Sequence, residues 1–193
     1  MGKVEIRKSV LKLLNNMFEY EHDRKSAVIM NQLIESDSFK KAKCVAVTIS
    51  RYPEVDTRPI IKYAWQMGKR VAVPKCNART REMDFRTINS FEDLETVYMD
   101  LLEPIESKTK SVRKDEIDLQ IVPGVVFSKE GYRIGFGGGY YDRYLEQYKG
   151  DSVSLAFEIQ MMNEVPVQSH DLPVDRIITE NQMIDCTCHR SNL

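Results

Sequence analysis

The stretch CVAVTISRYPEVDTRPIIKYAWQMGKRVAVP, residues 44–74, decides the fold class. Its first part, CVAVTIS, is a short apolar, β-branched run that reads as a buried strand, with RYPEVDT as the loop that follows. Asp56 or Thr57 then caps a helix, Pro59 suits its first turn, and Gly68 ends it. RVAVP, residues 70–74, is the next strand. Strand, helix and strand joined by short links predict parallel pairing through a right-handed crossover. The expectation is an α/β fold, a mostly parallel sheet flanked by helices.

Toward the N-terminus, apolar residues at Val4, Ile6, Val10, Leu11, Leu13, Leu14, Met17 and Phe18 predict an amphipathic helix over 3–20, with a second over about 22–35. Toward the C-terminus, MDFRTI (83–88) alternates like a half-exposed strand, and IDLQIVPGVVF (117–127) continues the sheet, broken at Pro123–Gly124. A glycine-rich segment and a helix over DRYLEQYK follow, then strands in SVSLAFE (152–158) and DRIITE (175–180). No repeat or long linker intervenes. The prediction is one α/β domain over 1–185, with a polar tail over 186–193.

The chain has 193 residues, a net charge of -1 and 42% hydrophobic residues, enough for one substantial core. Charges of both signs are mixed along it and form no polybasic block, which argues against a nucleic-acid footprint. The apolar runs are too short to span a bilayer. The opening MGKVEIRKSVLKLL lacks a signal peptide's cleavage site, so a soluble cytoplasmic protein is expected. Cys44 reads as a small buried hydrophobe. Cys186 and Cys188, beside His189, lack a second ligand pair, which favours reduced thiols over zinc.

The richest segment is RIGFGGGYYDRY, residues 133–144, which holds Gly135, Gly137, Gly138 and Gly139. Successive glycines between a strand and a helix let the backbone curl into a nest of N–H donors suited to an anion. Arg133 can add a charged fork to phosphate oxygens, and Asp142 a carboxylate for Mg²⁺. Tyr140 and Tyr141 offer flat faces to an aromatic ligand. The Walker A pattern occurs nowhere, and Tyr140 stands where a dinucleotide fingerprint needs glycine. A glycine-rich turn, with Asp142 as a helix cap and the tyrosines in the core, accounts for the same residues. Lys3 and Arg7 lie one helical turn apart, either solvated or facing an anion. Glu54 follows Pro53 in a loop at the carboxyl end of a strand, where open α/β sheets place ligands.

Six stretches join these positions: KVEIR (3–7), SRYPEVDT (50–57), GKRVAVPK (68–75), DLQIVPGVVFSKEGYRIGFGGGYYDRYL (118–145), AFEIQ (156–160) and VDRIITE (174–180). Together and in this order they resemble the 5-formyltetrahydrofolate cyclo-ligases, also called methenyltetrahydrofolate synthetases. The resemblance implies a fold similar to the ribose-phosphate isomerase and CoA-transferase group. It implies conversion of 5-formyltetrahydrofolate to 5,10-methenyltetrahydrofolate with ATP and Mg²⁺, releasing ADP and phosphate. It places ATP on Lys3, Arg7 and the loop of Arg133, Gly135, Phe136, Gly137, Gly138, Gly139, Tyr140 and Tyr141, with Arg133 and Tyr140 closest to the chemistry. It places Mg²⁺ on Asp142 and Asp175, with Asp171 as the neighbouring alternative. Folate falls on Glu54, with Ile49, Phe136 and Tyr140 lining that site. Phe136 and Gly138 occupy loop positions that are basic in some relatives. The expected partner is 5-formyltetrahydrofolate with or without a polyglutamate tail, taken by a monomer or a weak dimer. Rival readings are a paralogue acting on another substrate, a sugar-phosphate isomerase and a non-catalytic nucleotide module.

Overall fold

The structure is a computed structural model and describes residues 2–190. Its helices are α1 (Lys3–Asn15), α2 (Glu19–Glu35), α3 (Asp37–Lys41), α4 (Arg58–Gln66), α5 (Tyr140–Leu145) and α6 (Cys186–Arg190). The strands are β1 (Cys44–Ala46), β2 (Arg70–Cys76), β3 (Met83–Ile88), β4 (Leu94–Thr96), β5 (Leu102–Pro104), β6 (Lys110–Ser111), β7 (Leu119–Ile121), β8 (Val126–Phe127), β9 (Arg133–Ile134), β10 (Asp151–Leu155), β11 (Arg176–Ile178) and β12 (Met183–Asp185).

β1 and β2 pair in parallel, Val45 opposite Val71, with α4 as the crossover. β1 is shorter than its apolar run, though the Val47 N–H still donates to the Ala72 carbonyl at 2.9 Å. The main sheet has eight strands in the order β12-β11-β10-β7-β1-β2-β3-β6. Its five central strands, β11 to β2, are parallel, and β12, β3 and β6 are antiparallel to their inner neighbours. The central strands are buried on both faces, as helix-covered parallel strands are.

Period-2 alternation sorts the two faces. Val45, Val71, Val73, Leu119 and Val153 join Ile6, Val10 and Leu14 of α1, Ile29 and Leu33 of α2, and Ile60 and Ile61 of α4 in the main core. The opposite face carries the small residues Cys44, Ala46 and Ala72 with Phe85. That relief seats α5 and the loop after it, whose Tyr141, Tyr144 and Tyr148 pack there, the Tyr144 ring centroid 4.7 Å from that of Phe85.

Several expectations need correction. α1 ends at Asn15, because the Asn16 N–H turns back to the Leu13 and Leu14 carbonyls. Phe18, 71% exposed, is therefore the residue that caps the start of α2, and Val4 at 70% lies off the Ile6–Val10–Leu14 stripe. β8 does not continue the main sheet. The last sheet bond runs from the Val122 N–H to the Val153 carbonyl, and Pro123 has no N–H to extend the ladder. β8 instead forms a two-stranded ribbon with β9, which carries Arg133 to the rim. The helix expected over DRYLEQYK begins two residues earlier, at Tyr140, and stops at Leu145. α6 replaces the first part of the expected polar tail, directly after β12, with Cys186 fully buried against Val174 and Ile184.

Candidate active site

The glycine segment links β9 to α5, and its glycines serve separate purposes. Gly137 (φ 103°) and Gly139 (φ 69°) are left-handed, a conformation that disfavours a side chain. Gly138 is outside that region, but a Cβ there would lie 2.5 Å from the Tyr140 ring. Gly135 and Gly139 border open space. Arg7 of α1 reaches across, its Nε donating to the Gly135 carbonyl at 2.7 Å. Its two terminal nitrogens stand 3.6 and 3.7 Å from where a Gly137 Cβ would be. Bare backbone thus faces a guanidinium and open space, a cradle that suits phosphate.

Beside the cradle lies an ion-pair network. Asp142 is not the cap of α5, a position held by Gly139. Its Oδ1 accepts from Arg133 Nη2 and from the Leu172 N–H, each at 3.1 Å. Arg133 also donates to the Leu172 carbonyl at 2.7 Å, and its side chain is only 4% exposed. Burial pulls its pKa down, and the Asp142 charge opposes this. Lys3 pairs with Asp171 Oδ2, which also accepts from the Gln168 N–H at 2.7 Å. Burial pushes Asp171 up, but the Lys3 and Gln168 bonds outweigh it and hold the carboxyl below its usual range.

Asp175 is engaged elsewhere. Its Oδ2 accepts from the Ser152 N–H at 3.0 Å and the Ser152 hydroxyl at 2.8 Å, and Oδ1 lies 3.6 Å from Arg190. Among the described residues no three His, Cys, Asp or Glu side chains converge as a metal cage. Mg²⁺ rarely needs one, since it commonly takes one or two carboxylates, waters and substrate phosphates. Asp142, whose Oδ2 has no hydrogen bond among the described residues, fits that mode of binding.

On the other side of Gly124 lies a second cavity, lined by Thr48, Ser50, Glu54, Thr57, Gly124 and Gln160. A Cβ on Gly124 would lie 2.7 Å from Phe127 Cζ, so the bare position seats that ring. The Val125 N–H donating to the Ile134 carbonyl at 2.8 Å sets Gly124 beside the start of the glycine loop and keeps the two sites adjacent. The Glu54 loop is pinned. Ser50 and Thr57 exchange N–H to hydroxyl bonds of 2.9 Å, and buried His22 holds the Glu54 carbonyl through Nε2 at 2.7 Å. Burial raises the Glu54 pKa, with the Arg51 N–H opposing. Gln160 accepts from the Phe157 N–H at 2.8 Å and donates to the Val125 carbonyl at 3.0 Å. The Tyr141 hydroxyl is buried and unpartnered among the described residues. Burial raises its pKa far above the tyrosine range.

The structure therefore brings together Lys3, Arg7, Arg133, the glycines, Tyr140, Tyr141 and Asp142, with Glu54 behind Gly124. Phe136 is exposed at the loop tip. Ile49 faces the core, while its neighbours Thr48 and Ser50 line the Glu54 cavity. Sequence reading missed His22 and Gln160. AFEIQ contained Gln160 without suggesting its role, and nothing local marks His22. Asp171 was visible beside His170, but its partner lies 168 residues away.

Comparison with known proteins places this geometry. The model of the 5-formyltetrahydrofolate cyclo-ligase family matches residues 1–180. The chain is 28% identical to the mouse 5-formyltetrahydrofolate cyclo-ligase, over 93% of this chain and 94% of that one. It is 31% identical to the Escherichia coli K12 5-formyltetrahydrofolate cyclo-ligase, over 74% of this chain and 80% of that one. The solved Aquifex aeolicus 5,10-methenyltetrahydrofolate synthetase superposes with a TM-score of 0.85 at 34% identity, covering 96% of this chain and 93% of that one.

Proposed function

The chain belongs to the 5-formyltetrahydrofolate cyclo-ligase family, and on that premise we propose that it closes 5-formyltetrahydrofolate to 5,10-methenyltetrahydrofolate while ATP is converted to ADP and phosphate. The observation that carries this reading is the pairing of two sites across Gly124. A glycine cradle under Arg7 lies on one side, and a cavity lined by the half-buried Glu54 on the other.

The reaction needs such a pair. The N5-formyl group is amide-like and too unreactive for N10 to close on unaided. Transfer of the γ-phosphoryl to the formyl oxygen gives an iminium phosphate. N10 attacks its carbon, loses a proton, and the C–O bond breaks to release phosphate. No enzyme nucleophile is required, so catalysis rests on alignment and on offsetting spreading charge.

In this reading the bare amides of Gly135 to Gly139 and the free Arg7 nitrogens hold the phosphates, with Lys3 nearby. Arg133, fixed by Asp142 and Leu172, presents a buried positive charge to the developing phosphate. Glu54 accepts from the N–H groups of the pterin. Tyr140 walls the folate, and the orphan Tyr141 hydroxyl has a donor to give a substrate oxygen. Asp142 would hold Mg²⁺, whose charge would offset that of the phosphates. Asp175 enters as a second metal carboxylate through the family resemblance. The test is absorbance of the methenyl product after mixing protein with 5-formyltetrahydrofolate, with and without Mg-ATP. Turnover only with Mg-ATP is expected, and full product formation without ATP would overturn the reading.

A further inference from the structure

Four cations surround the glycine loop, and the structure commits two of them. Arg133 is fixed by Leu172 and Asp142, and Lys3 by Asp171. Arg7 keeps its terminal nitrogens against Gly137. The fourth, Arg81, comes from the turn between β2 and β3, a region that none of the roles above uses. The Asn77 side chain builds that turn by accepting from the Arg79 and Thr80 N–H groups at 3.0 and 3.2 Å. The Arg81 N–H donates to the Asn77 carbonyl at 2.8 Å, which fixes Arg81 at a left-handed φ of 61°.

From there the guanidinium carbon stands 5.6 Å from the Tyr140 ring centroid. Its Nη1 is 3.7 Å from where a Gly138 Cβ would be. Arg81 forms no ion pair among the described residues, so its charge is unspent. Contact with an aromatic face orients a guanidinium without neutralising it and leaves its N–H edge for an anion. Arg7 and Arg81 thus bracket the loop, one at Gly137 and the other at Gly138 and Tyr140. Arg81 also lines an open cleft of about 990 Å³ with Tyr140 and Arg143, lined elsewhere by the carboxylates Glu82, Asp84, Glu106 and Glu146, so the anion-facing part of it is the Arg81–Tyr140 end at the loop.

We propose that Arg81 is a second anion-binding arm of the glycine loop, contacting a phosphoryl or carboxylate group of a substrate held against Gly138 and Tyr140. The proposal rests on the reading that the two substrates meet at this loop. Its left-handed backbone supplies a clean test, because glycine adopts that conformation without strain and Arg81→Gly removes the side chain while leaving the turn. Arg81→Lys keeps the charge and loses the fork.

The measurements are kcat/KM with Mg-ATP varied, kcat/KM with 5-formyltetrahydrofolate varied, calorimetric binding of tripolyphosphate, and Tm. Arg81→Gly should lose at least about tenfold in kcat/KM for one substrate, with Tm unchanged or higher and Arg81→Lys recovering part. A loss for Mg-ATP with weaker tripolyphosphate binding identifies a phosphoryl group. A loss for the folate with tripolyphosphate binding intact identifies a carboxylate. Arg81→Gly within twofold of wild type for both substrates overturns the proposal. Wild-type protein that turns over without ATP and ignores tripolyphosphate would instead overturn the functional reading beneath it.

Discussion

Asp142→Asn tests whether this aspartate serves the fold as well as the chemistry. The substitution keeps shape and one oxygen, but removes the charge facing Arg133, whose side chain is 4% exposed against 23% for Asp142. Stripping one partner from a fully buried ion pair costs about 3–5 kcal/mol, because the other charge is left in low dielectric. Partial exposure of Asp142 and the remaining amide oxygen reduce this to about 2 kcal/mol. At 2–4 °C per kcal/mol for a chain of this size, Tm should fall by roughly 4–8 °C. The reverse change, Arg133→Met, leaves a carboxylate that still has water and the Leu172 N–H, so it should cost less, about 1 kcal/mol. The double variant should lose less than the sum. Thermal melts at pH 7 give the ordering. Turnover of Asp142→Asn, assayed well below its Tm, should drop at least about 100-fold, equivalent to roughly 2.7 kcal/mol. An Arg133→Met variant that melts below Asp142→Asn would refute the buried-cation argument. Normal turnover would remove Asp142 from the chemistry.

Gly138→Ala should abolish most ATP binding with little change in Tm, since its Cβ would displace the Tyr140 ring without demanding a left-handed alanine; calorimetry showing wild-type affinity would sink this. Burial raises the folded pKa of Glu54 above its ordinary value of 4.5, so its ionised form costs stability as pH climbs from about 4.5 toward that raised value. Glu54→Gln should therefore be the more stable protein at neutral pH, lose that advantage under acid, and bind folate weakly. Wild-type folate affinity should fall as Glu54 protonates, and a flat pH profile would contradict its role as an acceptor.

What the sequence determined by itself is what depends on near neighbours. The apolar runs of β1 and β2, the Pro59 start and Gly68 stop of α4, and the crossover they force are set within thirty-one residues, 44–74. The clustering of Gly135 to Gly139 announced a backbone that something must approach, because glycine costs entropy unless space or φ requires it. Those local facts left two accounts of the loop open, and its immediate sequence could not choose between them. Tertiary structure sorted the turn-and-cap account residue by residue. Tyr141 packs into the core, while Asp142 caps nothing and locks Arg133. Only the folded chain could set Lys3 on Asp171, Arg7 over Gly137, or Arg81 on Tyr140, since each pair is separated by 59 residues or more. Only it could send β8 out of the sheet. Hydrophobic patterning reports which face of an element is buried, and turn chemistry reports where it stops. The meeting of distant charges depends on which strands are neighbours in the sheet, a property of the whole topology that no local window contains.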